Sequence, residues 1–337
     1  MYASRILIVE VNWLGDVLFS TPFIRVVRNN FPDAFIACVV APGIKAALEG
    51  NPNVNEIIIY DEKGADKGIF AKVNFIKKLK NYNFDTVFFL HRSFTRALLT
   101  RLAGIKNRIG YYTFKRGFLL TQALKPPKIN SLHRVKFYLG ILEAIGLETD
   151  NKGCDFFIGE EDLKWAGNFV KAERFVVFNP GGNWLPKRWP VDNFMALGRL
   201  LLEKFNGKIR IVITGASKDA RLAENINQAL GGRAISARGK ASLKQTAAIF
   251  KKSGLVISGD SGPLHIAVAV GANAIGIFGP TSPFITGPYG ADGKKTIILY
   301  KKNDCNIPCY NDTCDNFKCM SNITPEEVFK SAEEFLK

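Results

Sequence analysis

Short, continuous apolar runs rich in β-branched residues alternate with segments whose apolar positions recur every three to four residues along nearly the whole chain. Continuous runs, as opposed to alternating ones, predict strands buried on both faces. They fall at Arg5–Glu10, Phe35–Val40, Glu56–Tyr60 and Asp85–Leu90, then at Arg174–Asn179, Lys208–Thr214, Leu255–Ser258, Ala274–Phe278 and Thr296–Tyr300. Helical patterns separate them at Val17–Asn30, Phe70–Lys80, Phe94–Ala103, Leu132–Ile145, Val191–Phe205, Lys218–Leu230 and Ser242–Lys252. Thr324-Pro325-Glu326-Glu327 reads as an N-cap, a first-turn proline and first-turn acids opening a last helix to Leu336. This alternation predicts an α/β protein with two parallel sheets, each covered by helices, in two Rossmann-like halves. The polar stretch Leu147–Glu173 marks the boundary, giving domains over 1–158 and 159–323, with the helix of 324–337 expected to pack back on the first.

Two turns stand out against this pattern. Asn12-Trp13-Leu14-Gly15-Asp16 follows the first strand run, and Ser258-Gly259-Asp260-Ser261-Gly262-Pro263-Leu264-His265 follows the apolar run ending at Ile257 and opens a small-residue helix over Ile266–Val270. Strand, tight turn and helix aim backbone N–H groups and a positive dipole end at an anion. Asp16 reads either as an N-cap or as a carboxylate able to take a proton from an attacking hydroxyl. Ser261 and the N–H groups of Ser261 and Gly262 suit phosphate oxygens, and Pro263 fits a first helical turn. His265 is expected one turn from Ser261 on the same face, as a structural or a functional imidazole. A third candidate is Asn179-Pro180-Gly181-Gly182-Asn183-Trp184 followed by Lys187-Arg188-Trp189-Pro190. There Lys187 or Arg188 could neutralise a diphosphate while the other is solvated.

At 337 residues the chain exceeds a single ordinary core. Its longest weakly interrupted apolar stretch, Leu264–Gly279, falls short of a membrane span. Glu10 and Asp16 interrupt the apolar N-terminus and no small-residue cleavage site follows, so a cytoplasmic location is expected over export. Net charge is +16, and from Thr86 to Leu142 eleven Lys or Arg occur with no Asp or Glu. That stretch is expected either to be a solvated face or to meet an anionic partner. Nucleic acid is disfavoured, because no zinc-finger, RNA-recognition or helix-turn-helix pattern appears.

No Gly-x-Gly-x-x-Gly follows the first strand and no Gly-Lys-Ser/Thr loop occurs, which argues against a nucleotide-dependent oxidoreductase and an NTPase. Without an Asp-x-Asp pair to hold a divalent ion, charge neutralisation falls to Lys187, helix dipoles and backbone N–H groups. Four of six cysteines are spaced Cys305-x3-Cys309-x4-Cys314-x4-Cys319; they fit zinc pairings only loosely, and free thiols are the expectation.

Taken in order, these residues resemble the glycosyltransferase family that contains the ADP-heptose–lipopolysaccharide heptosyltransferases. The marks are Gly15-Asp16, Leu90-His91-Arg92-Ser93-Phe94 with Ala97-Leu98-Leu99, Arg108-Ile109-Gly110-Tyr111, Pro180-Gly181-Gly182, Lys187-Arg188-Trp189-Pro190, Gly259-Asp260-Ser261-Gly262 with His265, and Phe278-Gly279-Pro280-Thr281-Ser282-Pro283. The resemblance implies a GT-B fold whose two domains face a central cleft, and an inverting, metal-independent transfer with no cofactor. It implies Asp16 as general base, acceptor contacts at Gly15, His91, Arg92 and Arg96, and donor contacts at Gly181, Gly182, Lys187, Ser217, Asp260, Ser261, Gly262, Leu264 and His265. Ser217 stands where some members carry an acidic residue near the nucleotide ribose. The implied donor is ADP-heptose and the implied acceptor an anionic glycolipid, the lipopolysaccharide inner core, met at the inner face of the inner membrane. The alternative is a relative using a different nucleotide sugar or a surface-polysaccharide acceptor.

Overall fold

The computed structural model describes residues 3–128, 130–290, 295–301, 305–311 and 313–337. The chain divides into two compact units, Met1–Asp155 and Phe156–Lys337, a few residues before the boundary expected from polarity. The first unit holds six parallel strands: β1 (Arg5–Val9), β2 (Phe35–Val40), β3 (Glu56–Ile59), β4 (Thr86–Phe89), β5 (Asn107–Tyr111) and β6 (Gln122–Leu124). Their order is β3-β2-β1-β4-β5-β6. The second unit holds β7 (Phe175–Asn179), β8 (Arg210–Ile213), β9 (Ala234–Ser236), β10 (Leu255–Gly259), β11 (Ala274–Phe278) and β12 (Thr296–Tyr300), also parallel. Their order is β12-β11-β10-β7-β8-β9.

In each sheet the strand order reverses at one place, between β1 and β4 in the first and between β7 and β10 in the second. Open α/β sheets bind ligands outside the carboxyl ends of the strands at such a switch point. The strands there run through the interior of each unit: β4, β7 and β10 are buried throughout, and β1 is buried from Ile6 onward.

The first helix, Leu14–Asn30, buries Val17 to Ile24 and carries Pro22 in its interior. A proline there leaves the carbonyl four residues back without its helical donor. The Thr21 hydroxyl supplies one, donating to the Leu18 carbonyl at 2.7 Å. Arg25 on the same helix pairs with Asp150 and Asp155, tying the end of the unit to it. In the second unit the last helix, Pro325–Leu336, buries Val328, Ala332 and Leu336 in that unit's own core. Its apolar face is therefore used within the second unit. Its capping box is formed: Thr324 Oγ1 accepts from Glu327 N at 3.3 Å, and Glu327 accepts from Thr324 N at 2.8 Å.

Candidate functional site

In the first unit, Gly15 and Asp16 lie inside the first turn of the helix Leu14–Asn30, which begins three residues earlier than its periodicity predicts. Trp13 occupies the cap position and makes no side-chain cap bond, so Asp16 is not the N-cap. A carboxylate in a first helical turn faces the positive end of the helix dipole. The neighbouring Tyr138 phenol is pushed well above its ordinary range, first by burial and then by the charge of Asp16, with Glu10 adding to it.

Glu10 continues directly from β1 and is fully buried. Its Oε2 accepts from the Ser20 hydroxyl at 2.8 Å, while its Oε1 is buried with no partner among the described residues. Burial pushes this carboxyl up to about 7, against the opposing pull of Ser20, the Val11 N–H and Arg96. An acidic residue ending a buried strand run is the mark this site leaves in the sequence, where it shows only as an interruption of apolarity.

Arg96, expected as an acceptor contact, lies inside the unit. It is 4% exposed, and its guanidinium is spent inside the unit: one amino group donates to the Glu10 carbonyl at 2.8 Å, the other to Asn12 Oδ1 at 2.8 Å. Glu62 lies 3.6 Å from its Nε. Arg96 thus holds the chain between β1 and Asp16 from beneath. His91, just past β4, is half-buried, with Nδ1 accepting from Ser93 N at 3.0 Å and Nε2 3.0 Å from Asn12 Nδ2. Burial, with the charges of Arg96 and Arg116, lowers it to about 4, so it is neutral near neutral pH. Arg92 is exposed, 5.7 Å from the Phe137 ring centroid. The eleven cations of Thr86–Leu142 therefore do not form one solvated face: Arg96 and Arg116 are interior.

In the second unit, Gly181 and Gly182 follow β7, and Asp260 follows β10, at the two lips of the switch point. Lys187 Nζ donates to Asp260 Oδ2 at 2.7 Å. The same carboxylate accepts from Thr281 Oγ1 at 2.6 Å and Thr286 Oγ1 at 3.0 Å, and His265 Nε2 lies 3.2 Å from its Oδ1. Burial alone would raise Asp260; the His265 bond and the Lys187 charge overcome it and hold the carboxyl well below its usual range. The buried His265 is thus turned onto Asp260. Thr281 and Thr286 escape a reading of the sequence, because nothing local links a loop hydroxyl to a carboxylate more than twenty residues earlier.

Arg188 is not solvated as expected. It donates to the Gly182 carbonyl and to Asp219 Oδ1, the latter at 3.2 Å. Asp219 in turn explains one glycine: a Cβ on Gly181 would collide with its carboxylate. A Cβ on Gly259 would stand 2.5 Å from the Lys187 carbonyl, so the strand end and the lysine turn meet only because that residue is glycine. Trp189, 2% exposed, pins the same turn to the core and donates its indole N–H to the Ile323 carbonyl at 2.9 Å. Ser261 and Gly262 sit at the start of the helix Gly262–Ala269, with Pro263 in its first turn as expected. Leu264, another expected donor contact, buries its side chain with Ala274 and Phe278, so its backbone is the part left to meet a ligand. Ser217 is exposed after β8, and its carbonyl accepts from Arg238 at 3.3 Å.

Cys305, Cys309, Cys314 and Cys319 carry free thiols. No group of three or more His, Cys, Asp or Glu among the described residues is arranged to hold a metal ion. The segment docks beside the Asp260 loop, with Cys309 N donating to the Pro280 carbonyl at 2.7 Å.

Residues 72–318 match the family model described as glycosyltransferase family 9 (heptosyltransferase). The chain is 24% identical to lipopolysaccharide heptosyltransferase 2 of Salmonella typhimurium over 348 residues, covering 98% of both proteins. Among solved structures it resembles a family 9 glycosyl transferase from Veillonella parvula, with a TM-score of 0.88, 27% identity and coverage of 99% of this chain and 97% of that one. It also resembles the ADP-heptose lps heptosyltransferase II of E. coli, with a TM-score of 0.83, 22% identity and 98% of each chain covered. These likenesses assign the two parallel sheets to the GT-B class.

Proposed function

Because the chain belongs to glycosyltransferase family 9, we propose that it moves heptose from ADP-heptose to the inner core of lipopolysaccharide, by direct inverting displacement without a metal. The observation that carries this reading is the placement of Asp16 in a first helical turn beside the β1–β4 switch point, while Lys187, Asp260 and the helix Gly262–Ala269 occupy the corresponding place in the second sheet. Among the steps such enzymes could catalyse, transfer of the second core heptose is the one proposed, since relatives named heptosyltransferase 2 and II match the chain end to end.

In this mechanism Asp16 takes the proton of the acceptor hydroxyl as its oxygen attacks the anomeric carbon, and ADP leaves from the opposite face. General base catalysis of this kind contributes roughly 10²–10⁴-fold. The leaving diphosphate meets Lys187, the N–H groups of Ser261 and Gly262, and the positive end of the helix they open. Asp260 is a positioning residue: it accepts one of the three lysine protons and fixes where the others point. Glycines 181 and 182 let the backbone after β7 approach the donor, and Ser217 borders the nucleotide. On the acceptor side Gly15 gives the same freedom, His91 offers a neutral ring, and the exposed Arg92 meets anionic groups of the glycolipid. Arg96 holds the Asp16 turn and does not touch the acceptor. No helix among the described residues is long and apolar enough to cross a membrane, so contact with the inner face of the inner membrane is proposed as peripheral.

A thermal-shift panel of nucleoside diphosphates and their sugars tests the donor. A ligand at 100 times its dissociation constant stabilises by about 2.7 kcal/mol. ADP and ADP-heptose should give that shift and UDP or GDP should not; a uridine or guanosine preference would move the chain to a different nucleotide sugar.

A further inference from the structure

The loop after β5 turns its one buried cation inward and its aromatic side chains outward. Arg116, 1% exposed, donates to the carbonyls of His91 and Tyr111, the latter at 2.8 Å. The N–H groups of Arg116 and Gly117 both donate to the Thr113 carbonyl, at 3.1 and 2.9 Å. A Cβ on Gly117 would collide with the Tyr112 ring, so that ring lies against the turn. The loop is therefore fixed from within. Its outer side chains are nonetheless left in water: Phe114 is 89% exposed and Phe118 is 68% exposed. The Phe118 ring lies 6.3 Å from that of Phe94, which opens the helix Phe94–Leu102. Arg101, in the last turn of that helix, donates to the Phe118 carbonyl at 3.3 Å, and Lys115 is exposed at the loop tip.

We propose that this loop and the adjoining helix end form a face that docks on an anionic lipid bilayer, with Phe114 and Phe118 entering the headgroup–acyl boundary and Arg101 and Lys115 meeting lipid phosphates. Aromatic rings partition to that boundary, and each basic residue near an anionic leaflet adds attraction. The sign of the charge selects the partner. From Thr86 to Leu142 the sequence has no acid, so a two-fold contact with a second copy would set cations against cations. A sheet of phosphates complements the same surface. Arg116 ties the face to the carbonyl of His91, so a docked loop brings the β4 end, beside Asp16, towards the surface that would display a lipid-linked acceptor. That purpose rests on the acceptor reading above; the docking does not.

The test is flotation of the full chain with phosphatidylcholine vesicles with and without phosphatidylglycerol. Binding is expected only to the anionic vesicles. Arg101→Glu with Lys115→Glu should weaken partition by at least roughly twentyfold, at about fivefold for each cation lost. Phe114→Ser with Phe118→Ser should weaken it by about tenfold or more even at low salt, without loss of thermal stability. In a Phe118→Trp variant the new indole should shift to the blue and be quenched by brominated acyl chains. Unchanged partition of the double serine variant, or an unquenched indole on bound protein, would overturn the proposal. So would an oligomer that the serine changes dissolve, which would make the face a contact between copies. Turnover on a water-soluble acceptor fragment should be the same in the serine variant and the parent. If the parent shows no turnover, the functional reading fails while the vesicle result stands.

Discussion

Lys187 Nζ lies 2.7 Å from Asp260 Oδ2, so the cation proposed to meet the donor diphosphate is held by a carboxylate 73 residues further along the chain. The carboxylate also takes two threonine hydroxyls, which leaves it little freedom to follow the lysine elsewhere. Such an arrangement fixes a charge before the ligand arrives, and pre-fixed charges cost no reorganisation during the reaction.

Removing Lys187 should therefore damage both binding and stability. Lys187→Met is expected to raise the donor KM at least tenfold and to cost about 3 kcal/mol, because Asp260 is left buried without its cation. Asp260 has a depressed folded-state pKa, below its ordinary 3.8, so its contribution is complete above that value and is lost as pH falls beneath it. Urea titrations at pH 7 and pH 3 check this: the gap between parent and variant should shrink in acid.

Glu10 should produce the opposite pH trend. Its folded-state value of about 7 lies above the ordinary 4.5, so between these values the folded chain binds more protons than the unfolded chain and stability falls as pH rises. Above about 7 the full penalty is present. Glu10→Gln keeps an acceptor for Ser20 and cannot ionise. It should match the parent near pH 4.5 and exceed it by about 3 kcal/mol at pH 8, each tenfold change in a proton-binding constant being worth about 1.4 kcal/mol. Equal stability of the two at both pH values would show that the carboxyl titrates normally.

Arg96 separates a supporting role from a binding role. Arg96→Ala strands the Glu10 carbonyl and Asn12 and should cost roughly 2–4 kcal/mol, with a fall in kcat as the Asp16 turn loosens. Arg92→Ala should leave stability within about 0.5 kcal/mol and raise the acceptor KM. Steady-state kinetics of both variants with thermal denaturation discriminates; a raised acceptor KM for Arg96→Ala at unchanged kcat and stability would restore it as a ligand contact.

Much of this is legible in the sequence because the switch-point strands are buried on both faces and so appear as unbroken apolar runs, as in Phe175–Asn179 and Leu255–Gly259. The strands that the pattern misses, β5, β6 and β9, are interrupted or at the sheet edges; Gln122 and Ala123 are exposed and Ala234–Ser236 only half-buried. The glycine turns are readable because strand, glycine and carboxylate are local. The burial of Arg96 and Arg116 is not, since their carbonyl partners at Glu10 and His91 lie 86 and 25 residues away, and a charge in a sequence reads as surface. Leu264 shows the converse: a residue inside a glycine-bounded turn can point its side chain at the core.

Transfer is expected to continue in excess chelator, with no gain from added Mg²⁺ or Mn²⁺. Loss of activity restored by either ion would contradict the metal-free mechanism. Loss accompanied by unfolding, with zinc found by elemental analysis of the purified chain, would instead assign a structural site to Cys305, Cys309, Cys314 and Cys319.

The most direct measurement is single-turnover transfer from ADP-heptose to a heptose-deficient core acceptor, comparing the parent with its Asp16→Asn variant and assigning the product anomer by NMR. The account predicts an inverted anomeric centre and, for Asp16→Asn, a rate lower by roughly 10²–10⁴-fold at unchanged ADP affinity. A retained configuration, or a variant within a few-fold of the parent rate, would contradict it.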